Sequence, residues 1–533
     1  MFHRPIRTLG TAHYVQALKD MIIGIDLGTR NALCAVSTAN KGEFIIPNRW
    51  GTLRTPSVVS YAENTFLAGE DAVKAESKYP GQTWWDIKRK IGTSWNATYI
   101  QNGMSIKANA ETLIVPLLKL LREDAEAYLN TFIYSCVITV PACFNSFQRV
   151  AILSAAREAG FSGEVKILNE PTAAALSIAN EEGRYLVLDF GAGTADISVV
   201  EMESNVWQVL ESVGTKNIGG YDFDVLLAEW IIERAGLHEI KENTGNMLIW
   251  NLFRSQAEKV KIALSARERY ELMPFIAIEK DFRPLVIERE DFNRLIRFHI
   301  RRIVNWVKML WEAHNPQKLL LVGGSSKIPL LRQMLEQEII PPEYFGYCTE
   351  DSVVIGAAIH STASKDSLLI DVISQEITLK YDNKHIKVFQ KGTPLPANVR
   401  EFLSVSDISA SNIILLQDDI EVLDMNLDDI KLGEEIMVRI SIDASGLLRV
   451  YVIRGSNINL NQSMSIQFEK RTAASDNNQK IKELESKLST LVHKLNDSQF
   501  TKLLDLISTA RNLDDDELIA AIKKAEEEIL GVR

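Results

Sequence analysis

The chain contains the same strand-turn-strand pattern twice, and each copy has an aspartate at the same corner. The first copy, IGIDLGTRNALCAV, runs over 23–36, and the second, LVLDFGAGTADISVV, runs over 186–200. In both copies an apolar strand ends at an aspartate (Asp26 or Asp189), a turn with glycine and threonine follows, and a second apolar strand begins. The copies are far enough apart for each to belong to its own lobe. The repeat therefore predicts two similar lobes that bring two turns and two carboxylates to one cleft.

These turns have the composition of a phosphate site. Backbone N–H groups in glycine-rich turns hold phosphate oxygens, because glycine leaves room for close approach. A carboxylate beside each turn suits Mg²⁺, which takes oxygen ligands and keeps several waters. The pattern predicts a metal-bound nucleotide clamped between two halves.

Length and charge limit the class of protein. The chain has 533 residues, which is too many for one core and predicts three or more domains. A net charge of −11 argues against a general nucleic-acid binder and, more weakly, against attachment to anionic membranes. No apolar stretch reaches the length of a membrane span.

The four cysteines, Cys34, Cys136, Cys143 and Cys348, form no C-x-x-C pair, so neither a zinc knuckle nor a redox motif is present. Cys34 and Cys136 lie in apolar runs and are predicted to be small buried hydrophobic residues. This cysteine usage is typical of a reducing cytoplasm, and we expect a cytoplasmic protein.

Residues 1–20 lack the apolar core of a secretory signal. Their two arginines and few acids leave a transit peptide open. Because the strand with Asp26 begins almost at Met21, we favour Met21 as the functional start. The first twenty residues are then a disordered tail or an artefact of an upstream start.

Residues 21–365 alternate between strand and helix patterns and are predicted to form a nucleotide-binding domain. An apolar strand over 134–142 precedes a helix over 145–159, and a later helix has Pro171 in its first turn. The segment 366–372, DSLLIDV, is short, apolar and flanked by acids, as in an interdomain linker.

The pattern then changes twice. Residues 373–470 alternate apolar and polar residues, which predicts an antiparallel β domain. Residues 471–533 carry apolar residues at helical spacing and are predicted to form a short helical bundle. A coiled-coil dimer arm is the alternative, less favoured because the stripe lasts only two heptads.

The paired corners resemble those of actin and hexokinase-type ATPases generally, and further motifs narrow the resemblance to the DnaK-type heat-shock protein 70 chaperones. The motifs are VITVPACFNSFQR (137–149), ILNEPTAAAL (167–176), DFGAGTAD (189–196), LLLVGGSSKIP (319–329) and SLLIDV (367–372). SIDASGLLRV (441–450) extends the resemblance into the β domain, and it is poor after 470. The short C-terminus and the stretch 47–60 suggest a divergent bacterial, HscC-like branch.

The resemblance implies a fold and a function. The fold is an α/β actin/hexokinase-like two-lobed ATPase domain, followed by an antiparallel β-sandwich and a short helical lid. The function is that of an ATP-driven chaperone with ATP or ADP and Mg²⁺ as ligands and K⁺ as a further candidate. ATP closes the lobes and docks the linker, and hydrolysis closes the β domain on its client. The implied partners are unfolded or extended polypeptides, a J-domain cochaperone and a nucleotide exchange factor.

The resemblance also assigns residues around the phosphates. Asp26 and Asp189 would hold Mg²⁺ through water, Lys88 would offset transition-state charge, and Glu170 would place the attacking water. If the resemblance is set aside, Lys88 is predicted to be an exposed lysine among basic neighbours, and Glu170 is predicted to be an acidic residue in the first turn of a helix. The remaining phosphate-site residues are Gly28, Thr29, Arg30, Asn31, Gly191, Ala192, Gly193 and Thr194, of which Thr194 is also assigned to catalysis.

Adenosine would lie between one helix and the turn of the 319–329 motif. Lys327 stands where many relatives have arginine, and lysine lacks the planar group that stacks on a base, so we expect a lower affinity for adenine. A solvated helix face would show the same spacing of polar residues. The residues assigned are Glu258, Lys261, Ile262, Ser265, Gly323, Gly324, Ser325 and Lys327.

Two departures from the family lie in the phosphate turns. Arg30 stands where the family usually has a second threonine, and Ala192 replaces the middle glycine of the second turn. A Cβ at Ala192 requires either a negative φ or backbone strain. We expect phosphate binding to survive, with slower turnover.

Four residues match positions that couple the domains in the family. Pro141 and Arg149 match a relay between the nucleotide cleft and the peptide domain. Lys166 and Asp371 match residues used to dock a J-domain cochaperone. An ordinary helix-surface arginine is the alternative for Arg149.

Two rival functions remain open at this point. One is a small-molecule kinase of the same fold, against which the NEPTAAAL motif, the linker and the β domain weigh. The other is a nucleotide-sensing scaffold or actin-like filament subunit with weak ATPase activity. If the protein is a chaperone, the short lid predicts fast release of peptide. The segment between Leu416 and Ile440 is acidic and shorter than the resemblance leads one to expect.

Overall fold

In the computed structural model, residues 21–464 are described, except 39, 179–180, 205, 238–246, 276–282, 347, 363–367, 383, 406–411, 428–430 and 455–461. The predictions for residues 1–20 and for the helical bundle after 470 lie outside these residues, as does the start of the linker. The described residues divide into two compact units. The first comprises 21–220, 305–326 and 335–464, and the second comprises 221–304 and 327–334.

The first unit begins with a sheet of mixed direction covered by helices. Its elements in chain order are β1 (Ile22–Leu27), β2 (Asn31–Thr38), β3 (Gly42–Ile46), β4 (Thr55–Pro56), β5 (Val58–Ala62), β6 (Thr65–Ala68), α1 (Glu70–Glu76), β7 (Thr83–Trp85), β8 (Asn96–Gln101), β9 (Met104–Asn109), α2 (Ala110–Leu129), β10 (Ser135–Val140), α3 (Ser146–Glu158), β11 (Val165–Asn169) and α4 (Glu170–Ile178). The strand order is β11-β10-β1-β2-β3, with β4 on β2. The predicted strand at 134–142 and the two helices that follow it are confirmed.

A second sheet repeats this arrangement. The strands of this sheet and the elements between them in the chain are β12 (Gly183–Phe190), β13 (Ala195–Glu203), β14 (Val206–Thr215), α5 (Gly220–Arg234), α6 (Met247–Ala266), β15 (Arg269–Leu272), β16 (Leu285–Glu288), α7 (Arg289–His314), β17 (Lys318–Val322), α8 (Pro329–Glu338), β18 (Phe345–Gly346), α9 (Ser352–Thr362) and β19 (Leu368–Ile370). The strand order is β18-β17-β12-β13-β14-β19.

The two sheets have the same topology around their central strands. β1 pairs parallel with β10 and antiparallel with β2, and β12 pairs parallel with β17 and antiparallel with β13. Asp26 and Asp189 are each the next-to-last residue of the central strand. The duplicated strand-turn-strand pattern is therefore a duplicated sheet, as the repeat predicts.

The β domain consists of two antiparallel four-stranded sheets. Its strands are β20 (Ile377–Tyr381), β21 (Lys384–Phe389), β22 (Ala397–Ser404), β23 (Asn412–Gln417), β24 (Ile420–Asn426), β25 (Glu435–Ile442), β26 (Leu448–Arg454) and β27 (Gln462–Met464). The sheet orders are β21-β20-β23-β24 and β22-β25-β26-β27. Alternate residues of β25 are buried, and side chains of both sheets share one core, which confirms the predicted period-two pattern.

The four cysteines are free, and Cys34 and Cys136 are buried, as predicted for small hydrophobic residues. Cys143 is buried as well. Within the described ranges, no helix has the length and apolar character needed to cross a bilayer.

Candidate nucleotide site

The turns that follow β1 and β12 meet in the first unit. A Cβ built on Gly193 would lie 2.3 Å from the Thr29 hydroxyl, so the second turn packs on the first at a place where only glycine fits. The Ser57 hydroxyl donates to the Gly28 carbonyl at 2.7 Å and fixes the first turn. Two runs of sequence from separate sheets are therefore in direct contact.

Two carboxylates stand beside these turns with raised pKa values. Burial raises the pKa of Asp26 to about 7, and Glu170 adds to the shift, while Lys88 and a hydrogen bond from Thr139 oppose it. Burial also raises the pKa of Asp189 well above its usual value, with further contributions from Glu170 and Asp26. The main cause of both shifts is the cost of holding negative charge away from water. A divalent cation would remove that cost.

The carboxylates would hold Mg²⁺ only together with other oxygens. The described part of the chain contains no cluster of three or more His, Cys, Asp or Glu side chains suited to a metal ion. Mg²⁺ in phosphate sites commonly has one or two carboxylates, with water and phosphate oxygens as the remaining ligands. Asp26 and Asp189 fit that description.

Lys88 is buried rather than exposed. Its side chain is 5% exposed and its ammonium group forms an ion pair with Glu170, whose side chain is 8% exposed. Burial acts to lower the pKa of Lys88, but attraction to Glu170, Asp26 and Asp189 outweighs it, and the pKa lies above its usual value. The lysine therefore carries a positive charge among three carboxylates, and the reading of Lys88 as a solvated lysine is wrong. Glu170 also begins α4, as expected for an acid in the first turn of a helix.

The departures in the phosphate turns are accommodated without left-handed backbone. Ala192 is not among the residues with positive φ, so its Cβ requires no left-handed strain. The Arg30 guanidinium lies over the ring of Trp85, and the residue is half-buried rather than exposed. Asn31 begins β2, and its carbonyl occupies the place that a Cβ on Gly28 would need, at 2.2 Å.

The residues assigned to adenosine fall in both units. In the first unit, the Ser325 hydroxyl donates to the Gly191 carbonyl at 2.8 Å, which holds the Gly323-Gly324-Ser325 turn against the second phosphate turn.

In the second unit, α6 carries Glu258, Lys261 and Ser265 on one half-buried face, whereas the Ile262 side chain is 62% exposed. Lys261 forms an ion pair with Asp224 at 2.7 Å. Lys327 of this unit is exposed.

Arg149 is buried at the centre of a polar network. Its guanidinium donates to the Asn169 side chain at 2.7 Å and to the Ser445 carbonyl, in the β domain, at 3.2 Å. Burial lowers the pKa of Arg149, although Asp371 opposes that effect. Pro141 is buried directly after β10. Arg149 is therefore not the ordinary surface arginine that was the alternative.

Asp371 of the linker joins the same network. The Asn169 amide donates to its carboxylate at 2.9 Å and the Thr172 hydroxyl donates at 3.4 Å. Burial raises the pKa of Asp371, and these bonds oppose the shift. Lys166 is separate from this network, because its side chain is 39% exposed and its ion pair is with Glu164 at 3.3 Å.

The linker and the β domain make further bonds within the first unit. β19 pairs parallel with β14, from Val206 to Gln208, so the linker adds a strand to the second sheet. The Ser374 hydroxyl donates to the Ala142 carbonyl at 2.7 Å, and the Ser146 amide donates to Gln417 at 3.1 Å.

Two polar residues in these networks are absent from the residues predicted from sequence. Asn169 links Arg149 to Asp371, and it immediately precedes Glu170 in the NEPTAAAL motif. Asp196 is fully buried, accepts the Cys143 amide at 3.0 Å, and has its pKa raised by burial to about 7. Asn169 is the last residue of β11 and Asp196 is the second residue of β13. A polar residue at the boundary of an apolar strand is the signal that the sequence offered.

Comparison with known proteins agrees with this arrangement. The model of the family described as Hsp70 protein matches residues 22–528. The chain belongs to the Hsp70 family.

Among Hsp70 relatives, a protein named "Chaperone protein dnaK1" of Prochlorococcus marinus subsp. pastoris is 33% identical over 435 residues, which are 74% of this chain and 65% of the relative. "Chaperone protein DnaK" of Mycoplasma mobile is 31% identical over 508 residues, which are 88% of this chain and 83% of the relative. "Chaperone protein DnaK" of Thermotoga maritima is 33% identical over 378 residues, which are 66% and 62%. The matched parts cover just under two thirds of the Prochlorococcus marinus and Thermotoga maritima proteins and 83% of the Mycoplasma mobile protein.

Proposed function

We propose that this protein is an ATP-dependent molecular chaperone, which binds exposed apolar segments of unfolded polypeptides and couples that binding to ATP hydrolysis. The observation that carries the proposal is the buried Lys88–Glu170 pair beside Asp26 and Asp189, at the place where two glycine turns meet. An actin/hexokinase-like two-lobed ATPase domain would span 21–365, a linker 366–372, a β-sandwich peptide-binding domain 373–470 and a short lid 471–533.

The chemistry follows from the charges of these residues. Bound Mg²⁺ would neutralise phosphate charge and polarise the transferred group, with Asp26 and Asp189 holding it through water. The Lys88 ammonium would offset the charge that develops on the γ-phosphate. The Glu170 carboxylate would orient the attacking water, and the Thr194 hydroxyl would contact phosphate.

Coupling to the β domain would run through Arg149. Pro141 and Arg149 are supported in this role by the Arg149 bonds to Asn169 and Ser445, and Asp371 by its bond to Asn169. The bonded linker and β domain suit the ATP-bound state, and hydrolysis would release them. A ligand drives such a shift only through its different affinity for the two states.

The partners we propose are extended polypeptides, a J-domain cochaperone near Lys166 and the linker, and a nucleotide exchange factor. The β domain would bind peptide by main-chain hydrogen bonds and a side-chain pocket. K⁺ is a further candidate ligand, and the cytoplasm is the proposed compartment. A J-domain partner that stimulates the ATPase equally in the unaltered chain and in Asp371→Asn would contradict the docking role of Asp371.

The test of the ATPase uses two lysines of one short turn. Lys88→Ala removes a charge from the phosphate site, and we expect single-turnover ATP hydrolysis to fall by about 100-fold, with Mg-ATP binding retained in calorimetry. Lys90→Ala, two residues away, is the matched control and is expected to hydrolyse ATP at the unaltered rate. Equal rates in both variants, or no uptake of nucleotide with Mg²⁺ present, would overturn the proposal.

A further inference from the structure

The Arg30 side chain of the first phosphate turn contacts the segment that precedes Lys88. Its guanidinium carbon lies 4.6 Å from the centre of the Trp85 ring. Its Nη1 lies 3.7 Å from the Asp86 carboxylate, and the two side chains are 18% and 7% exposed. Cation–ring and ion-pair contacts are stronger in such a shielded position than at an open surface.

Asp86 sets the direction of the chain before Lys88. Its backbone is left-handed, with φ 58° and ψ 29°, which is uncommon for a residue other than glycine. The residues after it, Ile87–Lys90, form a 3₁₀ turn, and the Arg89 amide donates to the Asp86 carbonyl at 3.1 Å. The position of Lys88 therefore depends on Asp86 keeping this conformation.

Trp85 is fixed on its other side. It pairs with Val58 of β5, and its indole N–H donates to the Glu76 carboxylate of α1 at 3.1 Å. Arg30 covers the ring, so it connects the first phosphate turn to a rigid support beside Lys88.

We propose that Arg30 is a positioning residue for Lys88: through Trp85 and Asp86 it holds the turn that keeps the lysine ammonium beside Glu170. A threonine at this position would be too short to reach either neighbour. The consequence for hydrolysis rests on the proposed ATPase function, whereas the effect on the turn does not. Direct contact of Arg30 with a phosphate is the competing role. The geometry favours positioning because a carboxylate already lies beside the guanidinium.

The first measurement needs no nucleotide. In Arg30→Thr we expect hydrogen exchange of the Arg89 and Ile91 amides to rise by about tenfold or more, because both belong to the turn that Arg30 supports. Asp86→Asn is expected to give the same change, and Arg30→Lys a smaller one, because lysine keeps the charge and loses the planar group. Arg400→Thr, at an exposed arginine of β22, is the matched control and should leave these amides unchanged. Unchanged exchange in Arg30→Thr would overturn the proposal.

The second measurement separates positioning from phosphate binding. Arg30→Thr should slow single-turnover hydrolysis by about tenfold and leave the Kd for Mg-ATP within about twofold. In a Lys88→Ala background the same change should have no further effect, because Arg30 acts through Lys88. A loss of ATP affinity that persists in that background would overturn positioning in favour of a phosphate ligand. If the unaltered chain hydrolyses no ATP, the proposed function fails, and hydrogen exchange still decides the role of Arg30. If Arg30→Thr does not fold, Arg30→Lys and Asp86→Asn carry the same comparison.

Discussion

Gly323 and Gly324 are neighbours after β17, yet only Gly323 has a backbone conformation that favours glycine, with φ +81°. A Cβ there would lie 2.5 Å from the Phe190 carbonyl and 2.8 Å from the Asp189 carboxylate, whereas a Cβ on Gly324 meets open space. We expect Gly323→Ala to lower the free energy of unfolding by more than about 1 kcal/mol, through strain and displacement of Asp189.

Chemical denaturation of the two single variants tests this expectation. Gly324→Ala is the control, and its free energy of unfolding should change by less than about 0.5 kcal/mol. Equal losses in both variants would show that the Cβ contacts at Gly323 relax at no cost.

His299 of α7 makes the stability of the second unit depend on pH. Its ring lies among Phe223 and Phe298, at centroid distances of 6.0 and 5.3 Å, and burial, with help from Arg302, lowers its pKa to about 4. Between about pH 6.5 and pH 4 the unfolded chain binds a proton at His299 that the folded chain does not bind. The free energy of unfolding therefore decreases as pH falls through this range. We expect a loss of about 2 kcal/mol at pH 5 relative to pH 7.5 from this residue.

His299→Leu removes the titrating group and keeps an apolar filling. Its free energy of unfolding should depend less steeply on pH between 7.5 and 5 than that of the unaltered chain. Identical dependence in the two proteins would mean that His299 protonates without cost in the folded state.

At the scale of elements, β19 is a three-residue strand paired to β14, with Leu369 opposite the buried Trp207. We expect Leu369→Asp to place a charge against this core and to detach the strand, because an unpaired charge is costly to bury. The amides of Val206–Gln208 should then exchange more than about tenfold faster, and proteases should cut the linker sooner.

Leu432→Asp is the matched control, because the Leu432 side chain is 68% exposed. It carries the same substitution and should leave both readouts unchanged. Linker cleavage that is equally slow in all three proteins would contradict the role of Leu369 in holding β19.

The elements that could be predicted are those with a local signal. The corner at Asp26, the strand before Pro141 and the helix with Pro171 in its first turn follow from short patterns of apolar residues, glycine and proline. No prediction names α7, Arg289–His314, although its amphipathic pattern is a local signal of a helix. The burial of Lys88 has no local signal, since its partner Glu170 lies far away in the chain.

At the scale of the molecule, the contacts of Arg149 join parts of the chain that no local pattern relates. Its bonds to Asn169 and Ser445, and the bond of Asn169 to Asp371, connect three distant segments. Sequence resemblance indicates that Arg149 matters for coupling, but only the fold shows the partners, because hydrogen-bond geometry depends on tertiary packing.

Gly446 and Gly433 allow the contact between Arg149 and the β domain to be tested separately from backbone strain. Both have positive φ, 76° and 78°, so alanine strains both alike. A Cβ on Gly446 would lie 3.2 Å from the Arg149 Nε, whereas a Cβ on Gly433 meets nothing within 4 Å. We expect Gly446→Ala to weaken the bond between Arg149 and the β domain, and Gly433→Ala to leave it unchanged.

The measurement is hydrogen exchange of the 443–447 turn, and of the start of α3, with Mg-ATP bound. Exchange should be faster in Gly446→Ala than in Gly433→Ala, with similar denaturation midpoints for the two variants. Equal exchange would show that the arginine adjusts to the added methyl group.

Polar bonds dominate the described junction between α3 and the β domain, with Phe147 the apolar side chain from α3 that packs against the β-domain core. Separation of such a junction uncovers little hydrocarbon, so the accompanying heat-capacity change should be small. The enthalpy of separation would then stay nearly constant, so the logarithm of the separation constant should vary almost linearly with inverse temperature.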